Sequence, residues 1–297
     1  MEENEIDWQQ FKCRCSSIHM ILANSQSNPC LTEKMLSELS SLEAKEVLTT
    51  KEELKLAELL VRKDNGSKLV LSDTCIGYLM EEYAWKTEGM TRITKGLMDV
   101  PQLEKGKAVE ADSLKLLSIV DGIEYKANID KEGKRERVYN DFLSGEVDAY
   151  VGDSIMTATI LPDIKSVWDY PTFLCKMFEP LSRANDLQVK GYMDISGARE
   201  GLIANCLVNM PEDVVFKQKW KLLNMMNVAT DESPEFLEVW EILERSMKFD
   251  KIPVHKRVHK KAVNPMTNEQ KSILYDRVKV CRDYLSNFHE TYNNLNL

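Results

Sequence analysis

Residues 158–169 read ATILPDIKSVWD, a run of strand length in which an aspartate and a lysine stand two positions apart. Side chains alternate between the faces of a strand, so Asp163 and Lys165 project together while Ile164 turns back into the protein. The run otherwise reads as a buried strand. Opposite charges on one face of such a strand are either a local ion pair or half of a catalytic site. Pro162 cannot donate to a ladder, which places the strand at an edge or distorts it there.

The preceding segment, GEVDAYVGD, is a second strand candidate that carries Asp148 and is followed by a turn at Gly152-Asp153-Ser154. Antiparallel neighbours joined by a short turn bring Asp148 and Asp163 side by side. Two carboxylates that close repel, and one stays protonated unless a cation sits between them. A hard divalent ion such as Mg²⁺ resolves the conflict. A helix expected from Pro101 to Val120 puts Glu110, Leu114 and Leu117 on one inward stripe, so a third acid faces the same interior. The alternative for Glu110 is a helix N-terminal acid favoured by the dipole. In LQVKGYMDISG, Gln188 and Tyr192 lie one helical turn apart with Ile195 below them, either a satisfied buried amide or a pair that orients a water or phosphate.

Elsewhere the pattern is mostly helical. Residues 31–62 predict a helical hairpin, KDNGSK a turn, LSDTCIGYLMEEYAWKTEG a helix opened by Ser72 or Asp73 and closed near Gly89, and Asn268 to Phe288 a long final helix. Helices around a central mixed sheet make an α/β (α+β) fold. At 297 residues the chain is long enough for one large domain or two small ones. The net charge of −9 argues against a protein that coats nucleic acid, but not against one that grips it in a local groove. An acidic N-terminus and the lack of a membrane-length apolar run predict an intracellular protein with no membrane partner. Seven cysteines form no CxxC pair and are expected as reduced thiols. His255 and His259, in the basic run KIPVHKRVHKKAV, have no acid beside them and read as part of a solvated edge strand rather than a metal site. Trp168 reads as packing. No GxxxxGK[ST] loop is present, so the chain carries no nucleotide-driven motor of that kind.

GKAVE, GEVDAY, PDIK and QVKGY, in that order, together with FKCRCSSIHMIL near the N-terminus, resemble the motifs of the PD-(D/E)XK nuclease superfamily. Within it they are most similar to the phage lambda exonuclease and YqaJ-type viral recombinase group, with a RecB-like QxxxY helix. The resemblance spans roughly residues 8–290 and implies a restriction-endonuclease-like core in a single domain over 1–297. That domain would carry a helical insertion at about 31–100 and a C-terminal strand-helix element at about 251–290. It implies a metal-dependent DNA exonuclease that degrades one strand of linear duplex, 5′ to 3′. Glu110, Asp148, Asp163 and the carbonyl of Ile164 would hold Mg²⁺, with Mn²⁺ as a substitute. Lys165 and Gln188 would serve the attacking water and Tyr192 would support them, while Arg14 with Ser16 or Ser17 would hold the phosphate of a DNA end. The serines are expected to cap a helix starting at Ile18. Double-stranded DNA ends, a single-strand annealing protein and a homo-oligomer follow as expected partners, and the cytoplasm of a bacterial host cell as the place. Only Cys206 and Cys281 follow the QxxxY helix, so no iron–sulfur cluster is expected. A structure- or sequence-specific endonuclease and a non-cleaving DNA-binding member are the alternative readings.

Overall fold

The computed structural model describes residues 6–23, 33–45, 47–67, 71–91 and 101–295. In chain order the elements are β1 (Cys13–Arg14), α1 (Ile18–Ile21), α2 (Glu33–Glu43), α3 (Thr50–Ser67), α4 (Asp73–Glu88), α5 (Pro101–Ala108), α6 (Glu110–Asp121), β2 (Lys126–Ala127), β3 (Val138–Tyr139), β4 (Leu143–Gly145), β5 (Ala149–Tyr150), β6 (Ile160–Ser166), α7 (Tyr170–Phe178), α8 (Arg183–Ser196), β7 (Glu200–Cys206), α9 (Glu212–Met226), α10 (Pro234–Arg245), β8 (Val258–Val263) and α11 (Asn268–Leu295). They fall into two compact units, one drawn from 1–13, 17–92 and 268–297, the other from 14–16 and 93–267.

Apart from Cys13, which belongs to β1, the regular elements of the first unit are helices where it is described. Leu39 and Leu42 of α2 pack against Leu59 of α3, which makes the expected helical hairpin. The KDNGSK turn is not formed, because α3 continues to Ser67. Parts of the expected 31–100 insertion (31–32, 46, 68–70 and 92–100) lie outside the described residues. Ser72 caps α4 by accepting from the Cys75 amide, and Gly89 closes it. Cys75 and Leu79 of α4 and Leu274, Val278, Cys281 and Leu285 of α11 are buried, and the Cys75 and Cys281 sulfurs lie 3.7 Å apart. The final helix runs past the predicted Phe288 to Leu295.

The second unit is built on the sheet β6-β7-β8. Strands β6 and β7 are parallel from Ile160↔Glu200 to Ser166↔Cys206, and β8 joins β7 antiparallel. A parallel pair needs a crossover, here supplied by α7 and α8. One face of the sheet packs Ile164, Ala204 and Cys206 against Val109, Leu116 and Leu117 of the α5–α6 segment. On α8, Val189 and Met193 press so closely on Gly201 of β7 that a Cβ there would stand 2.5 Å from Val189 Cγ1 and 2.6 Å from Met193 Sδ. Pro162 is accommodated because β6 is an outer strand of this ladder, as its missing donor requires.

Two expectations need correction. The helix from Pro101 is not continuous: it breaks at Val109 (φ −109°, ψ 16°), whose side chain is drawn into the core beneath β6, so Glu110 opens a new helix. The strand expected over IMTATILPDIKSVW begins only at Ile160, because Ile155–Thr157 form a 3₁₀ turn closed by reciprocal Ser154 and Thr157 hydrogen bonds.

Lys105 is fully buried in the last turn of α5. Its Nζ donates to the carbonyls of Val167 (2.6 Å) and Trp168 (2.9 Å), just past β6, and lies 5.4 Å from the centre of the Phe249 ring. Burial lowers its pKa to about 8. Between that value and the unfolded 10.5 the unfolded chain binds more protons, so this lysine makes stability rise with pH across that window. Measured by chemical denaturation, the stability of the wild type relative to Lys105→Met should therefore increase from pH 8 to pH 10. A pH-independent difference would show that Lys105 keeps an ordinary pKa.

Candidate active site

Asp163 and Lys165 share one face of β6, as the strand period requires, and Asp163 Oδ2 lies 2.9 Å from Lys165 Nζ. The acid is almost wholly buried while the lysine side chain is 38% exposed, so the pair opens to solvent on its cationic side. Asp163 Oδ1 accepts from Gln188 Nε2 at 3.3 Å, and the same amide donates to Tyr192 Oη at 2.9 Å. One turn of α8 thus places both residues of the QxxxY pair beside β6. Oδ2 of Asp163 receives no well-directed hydrogen bond despite its burial.

Asp148 stands immediately before β5, and β5 approaches β6 antiparallel through the Val151↔Ile160 bridge. Its Oδ2 accepts from the Ile164 amide at 2.9 Å. The N–H and C=O of a strand residue point to the same side, so the Ile164 carbonyl faces the edge where Asp148 lies. Glu110, at the start of α6, reaches the same place. Sequence reasoning missed the residue that connects them: Arg135 donates from Nη1 to Asp148 Oδ1 at 2.7 Å and from Nη2 to Glu110 Oε1.

Arg135 is held there by a buried asparagine. Asn128 donates to the carbonyls of Glu136 (2.8 Å) and Val147 (3.0 Å), its Oδ1 accepts from the Glu136 amide at 3.2 Å, and its own amide donates to the Asp148 carbonyl at 3.1 Å. The loop carrying the arginine is thereby fastened to the segment carrying the aspartate.

Charge and burial compete in this cluster. Burial is the largest influence on Asp163, and with a contribution from Asp148 it outweighs Lys165 and raises the carboxyl to about 6. Burial likewise raises Glu110 against the pull of Arg135. For Lys165 burial acts downward, but Asp163 and Asp148 prevail and the ammonium form is favoured.

A cavity of about 220 Å³ adjoins the cluster, with Arg14, Ser16, Ser144, Arg135, Arg137 and Tyr192 among its lining residues. Arg137 is paired with Glu146 at 2.5 Å, and Gly145 forms part of the wall. Arg14 and Ser16 line this cavity, but the serine cap expected beside them is not formed. Ser17 precedes Ile18 without any side-chain cap, α1 is a single turn, and Ser17 is buried and absent from the cavity wall. The serine that joins Ser16 there is Ser144, supplied by the β3–β4 hairpin. His259 lies on β8 opposite Asn205, with its Nε2 buried and unpartnered. Trp168 packs on the α9–α10 core, as its apolar surroundings predict.

The fold is shared with two exonucleases of known structure. A phage-related exonuclease from Haemophilus somnus 129PT superposes with a TM-score of 0.56 at 18% identity, covering 95% of this chain and 97% of its own. An alkaline exonuclease from Laribacter hongkongensis superposes at 0.50 with 10% identity, over 97% and 95%. No protein-family model and no curated protein sequence matches the chain. Among the described residues no helix is long and apolar enough to cross a membrane.

Gly145 joins the cavity wall to α8, since a Cβ there would stand 2.5 Å from Tyr192 Cε1 and 3.1 Å from Cys15 Sγ. Gly145→Ala should therefore destabilise the fold by about 1–3 kcal/mol, read as a lowered midpoint in thermal unfolding. An unchanged midpoint would show that Tyr192 can yield.

Proposed function

We propose that the protein is a metal-dependent DNA exonuclease that degrades one strand of linear duplex from its end. The observation that carries this reading is the convergence of Asp148, Asp163, Lys165 and Glu110 beside an arginine- and serine-lined cavity. The fold shared with two exonucleases and the motif order support it.

The donor set suits a hard divalent cation. Arg135 links the carboxylates of Asp148 and Glu110, and Asp163 adds a third, buried carboxylate whose Oδ2 is ion-paired with Lys165 but takes no directed hydrogen bond. Among the described residues no three acidic, histidine or cysteine side chains stand close enough to enclose an ion, and the Arg135 guanidinium bridges two of the acids. Glu110, Asp148 and Asp163, with the Ile164 carbonyl, would hold one or two Mg²⁺ or Mn²⁺ ions. When bound, such an ion activates the attacking water and neutralises charge developing on the phosphate.

The chain's own groups then divide the remaining work. Lys165, kept as ammonium beside Asp163, orients the water and offsets negative charge in the transition state; the raised pKa suits that role better than a base. Gln188 fixes the Asp163 carboxylate, and Tyr192 fixes Gln188. Arg14, Ser16 and Ser144 offer a guanidinium and hydroxyls to a phosphate at the DNA end. The 5′ to 3′ direction, a homo-oligomer and a single-strand annealing partner rest on the motif resemblance alone.

End-labelled linear duplex and covalently closed circular DNA, digested side by side with Mg²⁺, test this reading. The wild type should consume the linear duplex and spare the circle, and Asp148→Asn and Asp163→Asn should each lose at least about two orders of magnitude in rate while remaining folded by circular dichroism. Cleavage of the circle would mark an endonuclease. Near-wild-type digestion by either variant would place the chemistry elsewhere.

A further inference from the structure

Arg135 belongs at once to two neighbouring features. Its two Nη atoms span Asp148 and Glu110, and its side chain also lines the cavity shared by Arg14, Ser16 and Ser144. The side chain is 30% exposed, enough to turn between the two without unpacking the core.

The occupied lone pairs make the first position competitive with a metal ion. Asp148 has one oxygen on the Ile164 amide and the other on Arg135, and Glu110 Oε1 is also on Arg135. An ion entering between these acids meets a guanidinium already there. Formal charge points the same way. Three carboxylates against one guanidinium and one ammonium leave a single negative charge. A divalent ion added with Arg135 in place overshoots to one positive charge, and withdrawing the guanidinium restores neutrality. The adjoining cavity offers the withdrawn guanidinium a phosphate, the anion whose oxygens its planar fork matches.

We propose that Arg135 is a positioning residue that couples the two sites. It holds Glu110 and Asp148 together when no divalent cation is bound, and it turns to a phosphate in the cavity when one is, so that cation and phosphate bind cooperatively. This rests on the reading that the carboxylates take a divalent cation. The Asn128 clamp on Glu136 and Val147 keeps the loop backbone fixed, so the motion is confined to the arginine side chain. The consequence is ordering: an enzyme of this design loads its metal fully only when a phosphate is seated beside it.

Manganese binding, followed by the electron paramagnetic resonance of free Mn²⁺ without nucleic acid, tests the coupling. Methyl phosphate is the anion probe, and the proteins are the wild type, Arg135→Gln and Arg135→Lys. Saturating methyl phosphate should tighten Mn²⁺ binding to the wild type on the order of tenfold. Arg135→Gln should bind Mn²⁺ more tightly than the wild type without phosphate, and gain little when phosphate is added. Arg135→Lys keeps the charge without the two-pronged bridge and should also lose most of the phosphate effect, which leaves a second readout if the glutamine variant folds poorly. A merely structural arginine would lower the melting temperature in both variants and leave the phosphate dependence intact, which would overturn the proposal. Wild-type behaviour in Arg135→Lys would overturn it too, because charge alone would then suffice. If Mn²⁺ binds none of the three proteins, the metal reading itself fails. If Mn²⁺ binds all three alike, only the coupling does.

Discussion

Asp163 is a nearly buried carboxylate with a second, Asp148, close by, and much of the second unit can be understood as a way of making that tolerable. A carboxylate loses most of its solvation on burial, and a like charge nearby adds to the cost. The protein answers with an ammonium two residues along the same strand, a backbone amide, a side-chain amide and a bridging guanidinium. Even so, burial keeps Asp163 well above the usual carboxylate range. On the proposed reading a bound cation would relieve that cost, whereas a site built for stability alone would replace its acids with apolar residues.

The architecture fixes each member of the cluster by a different device. Strand periodicity fixes Asp163 relative to Lys165, and antiparallel approach of β5 fixes Asp148 relative to Ile164. The break at Val109 lets Glu110 start a helix instead of lying within one. Close packing at Gly201 seats α8 on β7, and Gly145 lets the Tyr192 ring approach the β3–β4 hairpin, so Gln188 arrives beside Asp163. Lys105 ties the end of β6 to α5 by two carbonyls. The supporting contacts use rigid elements, which is what a site sensitive to small displacements needs.

The parts of this arrangement that were legible in the sequence are those governed by local period. Asp163 with Lys165, Gln188 with Tyr192, and the inward Glu110 stripe follow from repeats of two or of about three and a half residues. The antiparallel approach of Asp148 was expected across one short turn, whereas the connection from Val151 to Ile160 also contains a 3₁₀ turn. Arg135 was not legible, because it sits in a charged stretch, KEGKRERVY, that looks like a solvated surface and gains meaning only when Asn128 pins it to Val147. Ser144 was hidden for the same reason, since its place in the cavity depends on hairpin geometry. Lys105 is one of two lysines in EKGK, and nothing local distinguishes it from exposed Lys107. The serine cap at Ile18 failed because the helix it would have opened is only one turn long. The division of the chain into two units had no composition signal, since helices from both ends of the sequence build the first one.

Whether the acid cluster is a cation site is decided most directly by anomalous diffraction from crystals grown in saturating Mn²⁺. The account predicts an anomalous peak within ligand distance of Asp148 and Asp163 oxygens, with Lys165 remaining at the edge of the site. It would be contradicted by no peak there at saturation, with Asp148 and Glu110 still bridged by Arg135, or by a well-occupied ion bound elsewhere on the second unit.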